Sequence, residues 1–146
     1  MEYSIKERLN AMAPEESCAL FIVDLDNFKQ VNDTLGHQAG DRAIQQAGRV
    51  LSSLFHASDI VGRLGGDEFA MVLYDVQSES EVQQICSALT QIFNLPFDLH
   101  NGHQTTMTLS IGYAMTIEHA SAEKLQELAD HNMYQAKHQR AEKLVR

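Results

Sequence analysis

"DIVGRLGGDEFAMVLYDV", residues 59–76, carries the strongest structural signal in the chain. Two strand-like runs, Asp59–Arg63 and Glu68–Tyr74, flank Gly65-Gly66, and consecutive glycines supply the positive φ values that a tight hairpin turn requires. The stretch therefore predicts a β-hairpin. Asp67 and Glu68 follow the turn directly, before the apolar residues resume. Taken alone, acids in this place have an ordinary explanation as solvated turn residues.

The segment "SCALFIVDLDNF" (17–28) changes that weighting. Its apolar run predicts a buried strand over Cys18–Leu25. The strand ends in acids, and Asp24 and Asp26, at alternate positions, share one face. If the hairpin lies beside this strand, Asp24 and Asp67 converge, while Gly65 and Gly66 let a ligand approach the backbone closely. Adjacent carboxylates repel unless a cation sits between them. Mg²⁺ suits such a place, because it takes one or two carboxylates and fills its octahedron with water and substrate phosphates. The pattern points to phosphoryl-transfer chemistry.

Elsewhere, Tyr3–Met12 has a helical pattern closed by Pro14. Phe28, Val31 and Leu35 recur at helical spacing before Gly36, a C-terminal stop. A longer helix is predicted over Ala39–Phe55, with Gly40-Asp41 in its first turn, where the helix dipole favours an acid. Ser78 or Ser80 caps a helix running to Phe93. A second hairpin is expected to pair a short strand near Phe97 with a longer one over Thr105–Met115, and a last helix covers Ser121–Lys143. Hairpins alternating with crossover helices indicate an α+β, ferredoxin-like domain: a central, mostly antiparallel sheet flanked by helices.

With 146 residues, 44% apolar and 21% charged, the composition is that of one ordinary globular domain. The formal charge of −9 argues against a nucleic-acid partner. The apolar run Ala19–Val23 is far short of the roughly 20 residues needed to cross a bilayer. The charged N-terminus lacks a secretory pattern, so no membrane contact and a cytoplasmic location are expected. Cys18 and Cys86 are far apart, without metal-binding spacing, and read as free thiols.

"NDTLGHQAGD" (32–41) is rich in side chains that can read a purine. Asn32 offers donor and acceptor together, and the Asp41 carboxylate accepts two donors at once, which suits the N1-H and N2-H₂ edge of guanine. The competing explanation makes Asn32-Asp33 turn formers and Asp41 a helix-start residue.

Together, "DLDNFKQVNDTLGHQAGD" (24–41), "RLGGDEF" (63–69), "TLSIGYA" (108–114) and "LADHNMYQAKHQR" (128–140) closely resemble the GGDEF family of diguanylate cyclases. The resemblance implies a fold like nucleotidyl cyclase and polymerase palm domains, and condensation of two GTP into cyclic di-GMP and two pyrophosphates. It also implies a homodimer in which each domain brings one GTP. By position, Asp24, the Leu25 carbonyl and Asp67 would hold Mg²⁺, or Mn²⁺ in its place. Asn32, His37 and Asp41 would bind the guanine nucleotide, with Phe28 among the substrate-binding positions and Gly65-Gly66 giving the α-phosphate room. Asp67 would assist deprotonation of the ribose 3′-hydroxyl, Lys29 would stabilise transition-state charge, Glu68 is a motif residue of the catalytic set, and Lys137 would bind the triphosphate.

Three departures from the family pattern carry expectations of their own. The chain begins inside what resembles the family's first helix, so the D-x-L-T-G-L-x-N-R segment is missing or diverged. An upstream sensor domain is expected in the full-length protein. "HASD" (56–59) stands where many relatives carry the product-inhibition motif R-x-x-D. His56 cannot reproduce arginine's bidentate fork beside Asp59, which predicts weak or no product feedback. Arg140 and Ala141 occupy the places of the family's glycine and arginine, putting Arg140 one position before the expected γ-phosphate contact. The alternative function is a catalytically silent module that binds GTP and regulates a partner.

Overall fold

The computed structural model describes residues 18–54, 60–76, 78–94, 97–98, 104–115 and 122–145. The helix expected over Tyr3–Met12 lies outside them. The elements are β1 (Cys18–Leu25), α1 (Phe28–Leu35), α2 (His37–Ser53), β2 (Ile60–Gly65) and β3 (Glu68–Tyr74), then α3 (Glu79–Ile92), β4 (Phe97–Asp98), β5 (Gln104–Thr105), β6 (Leu109–Met115) and α4 (Ala122–Val145). Four strands form an antiparallel sheet in the order β2-β3-β1-β6. Because β3 lies between β1 and β2 and opposes both, those two run the same way, the split arrangement of a ferredoxin-like domain.

The continuous apolar run of β1 is explained by burial of every one of its residues. Ala19, Phe21, Val23 and Leu25 face a core made with α1, α2 and α3, through Val31, Ala43, Ala47, Leu51, Val82 and Leu89. Cys18, Leu20 and Ile22 face the other way and pack with Leu125, Ala129 and Met133 of α4. Each large side chain so buried contributes about 1.5–3 kcal/mol. β1 is thus the central slab of a helix–sheet–helix sandwich, and its acidic end is held from both faces.

Two expectations are corrected. α2 starts at His37 rather than Ala39, so Asp41 falls in the second turn and the first turn contains no acid. The cause is Gly36, whose φ of 94° closes one helix and opens the next. Its N–H donates to Asn32 O (3.0 Å), and its carbonyl accepts from Gly40 N–H (3.2 Å). The strand expected over Thr105–Met115 is also split. β4 pairs only with β5, whereas β6 leaves to join β1. Between them Met107 is fully buried, and Thr108 is captured by Asp26. The Asp26 N–H donates to Thr108 O at 2.8 Å, and the Thr108 hydroxyl donates to Asp26 Oδ2 at 2.9 Å. That anchorage at the end of β1 fixes where β6 begins.

α3 starts as its sequence predicts, with Ser78 Oγ accepting the Glu81 N–H at 3.3 Å. α4 lies close against β6 because residue 112 is glycine. A Cβ there would fall within 2.7 Å of the Asn132 carbonyl carbon and closer still to Met133 N and Ala129 O. Asn132 Nδ2 donates to Tyr113 O (2.9 Å), pinning the helix to the strand.

Candidate active site

The end of β1 meets the hairpin turn as expected. In the β1–β3 register Asp24 lies opposite Glu68, and the Leu25 N–H donates to Asp67 O at 3.1 Å. Gly65 and Gly66 adopt φ values of 154° and 50°, which side-chain-bearing residues rarely tolerate. A Cβ on either would meet nothing within 4 Å, so the space above the turn is open. The turn has a clasp that the sequence reading missed. Arg63 Nε and one terminal guanidinium nitrogen donate to Gly66 O at 2.9 and 2.6 Å. The peptide planes on both sides of Asp67 are thereby fixed, one by Arg63 and one by Leu25. An arginine three residues before the second glycine is the signal that would have found it.

Asp24 is the most constrained carboxylate of the group. It is 7% exposed, its Oδ2 accepts from Lys137 Nζ at 2.5 Å, and its Oδ1 is buried with no hydrogen-bond partner. Burial, reinforced by neighbouring Asp67, pushes its carboxyl up to about 6 although Lys137 pulls the other way. Burial also raises Glu68, with the charges of Asp24 and Asp130 adding to it. Burial works against the Lys137 ammonium, but its bond to Asp24 and the charges of Asp67 and Asp26 outweigh this and hold it above the usual lysine range. The cluster is short of positive charge, and one lysine does not make up the deficit.

Asp26, one residue beyond the end of β1, has a different task. Its carboxylate is occupied by the hydroxyls of Thr108 and Ser110, both at 2.9 Å. Those hydroxyls sit at alternate positions in "TLSIG", a signal that strand periodicity carries.

On α1, Phe28 is half-buried against the core, Lys29 is exposed and Asn32 is half-buried; His37 and Asp41 of α2 are exposed. The Asn32 side chain lies directly over Gly40, the residue before Asp41 in the chain. α4 carries Arg140, whose side chain is outside the described residues, as are His56 and Asp59.

The donor set fits a hard divalent cation. Asp24 and Asp67 bring two carboxylates and Leu25 a backbone carbonyl at the same strand end, and the orphaned Asp24 Oδ1 is an acceptor awaiting a positive partner. Among the described residues no three His, Cys, Asp or Glu side chains form a ready metal cage. Mg²⁺ needs none, since it retains water and takes phosphate oxygens. Among the described residues, too, no helix is long and apolar enough to cross a membrane.

Comparison with known proteins places this geometry in a family. The model of the GGDEF domain, described as diguanylate cyclase, matches residues 1–143. Diguanylate cyclase DgcN of Escherichia coli K12 is 72% identical over 142 residues, covering 97% of this chain and 35% of that protein. The chain therefore spans about a third of that relative's length. The crystal structure of the GGDEF domain of TpbB (YfiN) from Pseudomonas aeruginosa superposes with a TM-score of 0.82 at 34% identity, over 93% of this chain and 84% of that one. The GGDEF domain of DgcB from Caulobacter crescentus, solved in complex with c-di-GMP, gives a TM-score of 0.82 at 26% identity, over 94% and 82% of the two chains. With its helix-flanked antiparallel sheet and its acid-bearing glycine turn beside the central strand, this chain belongs to the GGDEF, diguanylate cyclase, domain family.

Proposed function

We propose that the chain is a diguanylate cyclase domain that condenses two GTP into cyclic di-GMP and two pyrophosphates. The observation that carries this reading is the buried Asp24 carboxylate, with one oxygen unpartnered, beside Asp67 at the open Gly65-Gly66 turn. Asp24, the Leu25 carbonyl and Asp67 would hold Mg²⁺ or Mn²⁺, which would neutralise triphosphate charge and make the ribose 3′-hydroxyl more acidic.

The chain's own groups bind, orient and move the proton. Asn32, His37 and Asp41 hold the guanine nucleotide, and Phe28 at the start of α1 is a further substrate-binding position. The Asp41 carboxylate favours guanine over adenine, because adenine lacks the paired N1-H and N2-H₂ donors. Gly65 and Gly66 leave the α-phosphate room to lie on the backbone. Asp67, its peptide planes fixed by Arg63 and Leu25, receives the 3′-hydroxyl proton. That 3′-oxygen attacks the α-phosphorus of the GTP on the facing domain, and the bond to pyrophosphate breaks. Lys29 and Lys137 stabilise the negative charge that develops, and Arg140 adds to it from the same helix as Lys137. Glu68 supports the site from the first position of β3.

Each domain holds one nucleotide and each new bond joins two nucleotides, so the reaction needs two copies face to face. Positioning supplies most of the rate. A sensor or dimerising region in the remainder of the full-length protein would set how often two copies meet. The reaction would run in the cytoplasm, where GTP is available. Feedback through His56 and Asp59 is weak, because histidine lacks arginine's planar fork.

The test is incubation with GTP and Mg²⁺ over a range of protein concentrations, with chromatographic separation of products. Cyclic di-GMP and pyrophosphate should form at a rate per protomer that rises with concentration. Asp67→Ala should abolish product while leaving the thermal transition in place. GTP binding with no product at any concentration would make the chain the silent regulatory module instead.

A further inference from the structure

We infer that Gly40 is a positioning residue for base recognition, keeping the Asn32 amide seated on the start of α2 beside Asp41. The inference rests on the reading of Asn32 and Asp41 as guanine-binding groups. They come from different helices, and residue 40, next to Asp41 in the chain, lets the Asn32 amide lie against the start of α2. Residue 40 does this by having no side chain. It is buried and helical, so its backbone does not itself call for glycine. A Cβ there, however, would fall on Asn32 Oδ1 and within 2.8 Å of Asn32 Cγ. Asn32 in turn has its backbone fixed, because its carbonyl accepts the Gly36 N–H at 3.0 Å. Only its side chain is free to give way. Any larger residue at 40 therefore displaces the Asn32 amide from the start of α2 without moving either helix.

This separates a recognition role from a packing role. At Gly112 the atoms that a Cβ would meet are backbone, so a change there displaces an element. At Gly40 the three nearest atoms belong to the Asn32 side chain. Alanine is also the better helix former, so Gly40→Ala should keep or raise the melting temperature.

The experiment is a double-mutant cycle of Gly40→Ala and Asn32→Ala in the whole chain, reading GTP affinity by calorimetry, steady-state KM and kcat, GTP-over-ATP preference and thermal stability. Gly40→Ala should raise the GTP dissociation constant and KM about tenfold, the scale of one lost hydrogen-bonded contact, with a smaller change in kcat and a reduced preference for GTP. In the Asn32→Ala background it should add nothing. Wild-type GTP affinity in Gly40→Ala, a lowered melting temperature, or an equal loss in the Asn32→Ala background would each overturn the inference while leaving the guanine reading intact. An Asn32→Ala variant that binds GTP normally would instead overturn the guanine reading, and the inference with it.

Discussion

Replacing Asp24 by asparagine should stabilise the metal-free protein. The ionised carboxylate is buried with one oxygen unpartnered, and its carboxyl is pushed from 3.8 to about 6, first by burial and then by Asp67. Each pH unit between the folded and unfolded values is worth about 1.4 kcal/mol, so ionised Asp24 costs about 3 kcal/mol near pH 7.5. Lys137's help is already contained in that figure. Lys137 itself has a side chain 45% exposed, so its ammonium returns to water readily when the partner becomes neutral. Burying the new amide costs about 1 kcal/mol, leaving a gain of about 2 kcal/mol, or roughly 4–8 °C in melting temperature for a domain of this size.

The sign with pH is fixed. A carboxyl whose folded value is raised contributes stability that is fully present below about pH 4 and is lost as the pH rises through about 6. The advantage of Asp24→Asn should therefore be absent at pH 4, grow between pH 4 and 6, and stay level at pH 7 and above. Scanning calorimetry of both proteins with a chelator measures it. Added Mg²⁺ should reverse the order, stabilising the wild type and not the variant. A variant less stable than wild type at pH 7.5 in chelator, or a difference that ignores pH, would mean that ionised Asp24 carries no burial cost.

Gly112→Ala should cost about 3 kcal/mol by denaturant titration, because the added methyl meets the backbone of α4 rather than a movable side chain. It should also weaken GTP binding, since α4 carries Lys137. Arg63→Ala removes both bonds to Gly66 O from an exposed position. It should lower kcat about tenfold while shifting melting by only a few degrees, and a loss of stability without loss of turnover would show the clasp to be merely structural.

Much of the fold is legible in the sequence. β1 and β3 follow from uninterrupted apolar runs, and α1 and α3 from helical spacing with Gly36 and Ser78 as their boundaries. These are local signals, and local sterics and capping produce them. The β5–β6 division was not legible. Periodicity favours one strand through Thr105–Met115, and only the Asp26 bonds to Thr108 and Ser110, more than 80 positions apart, decide where β6 starts. The start of α2 is hidden for a related reason, because Gly36 serves two helices at once.

For the site, the order of residues along the chain is enough to say which acids stand at the strand end and the turn, and that the glycines between them adopt a conformation other residues avoid. Backbone sterics and the two-residue repeat of a strand suffice for that. Tertiary structure decided their electrostatic state. Lys137, 113 positions away, reaches Asp24 only because Gly112 lets α4 lie on the sheet. Asp24 and Asp26 look equivalent in the chain. One is left with a buried, unpartnered oxygen and the other is filled by hydroxyls, because burial and partners depend on which elements pack together, and no local pattern encodes that.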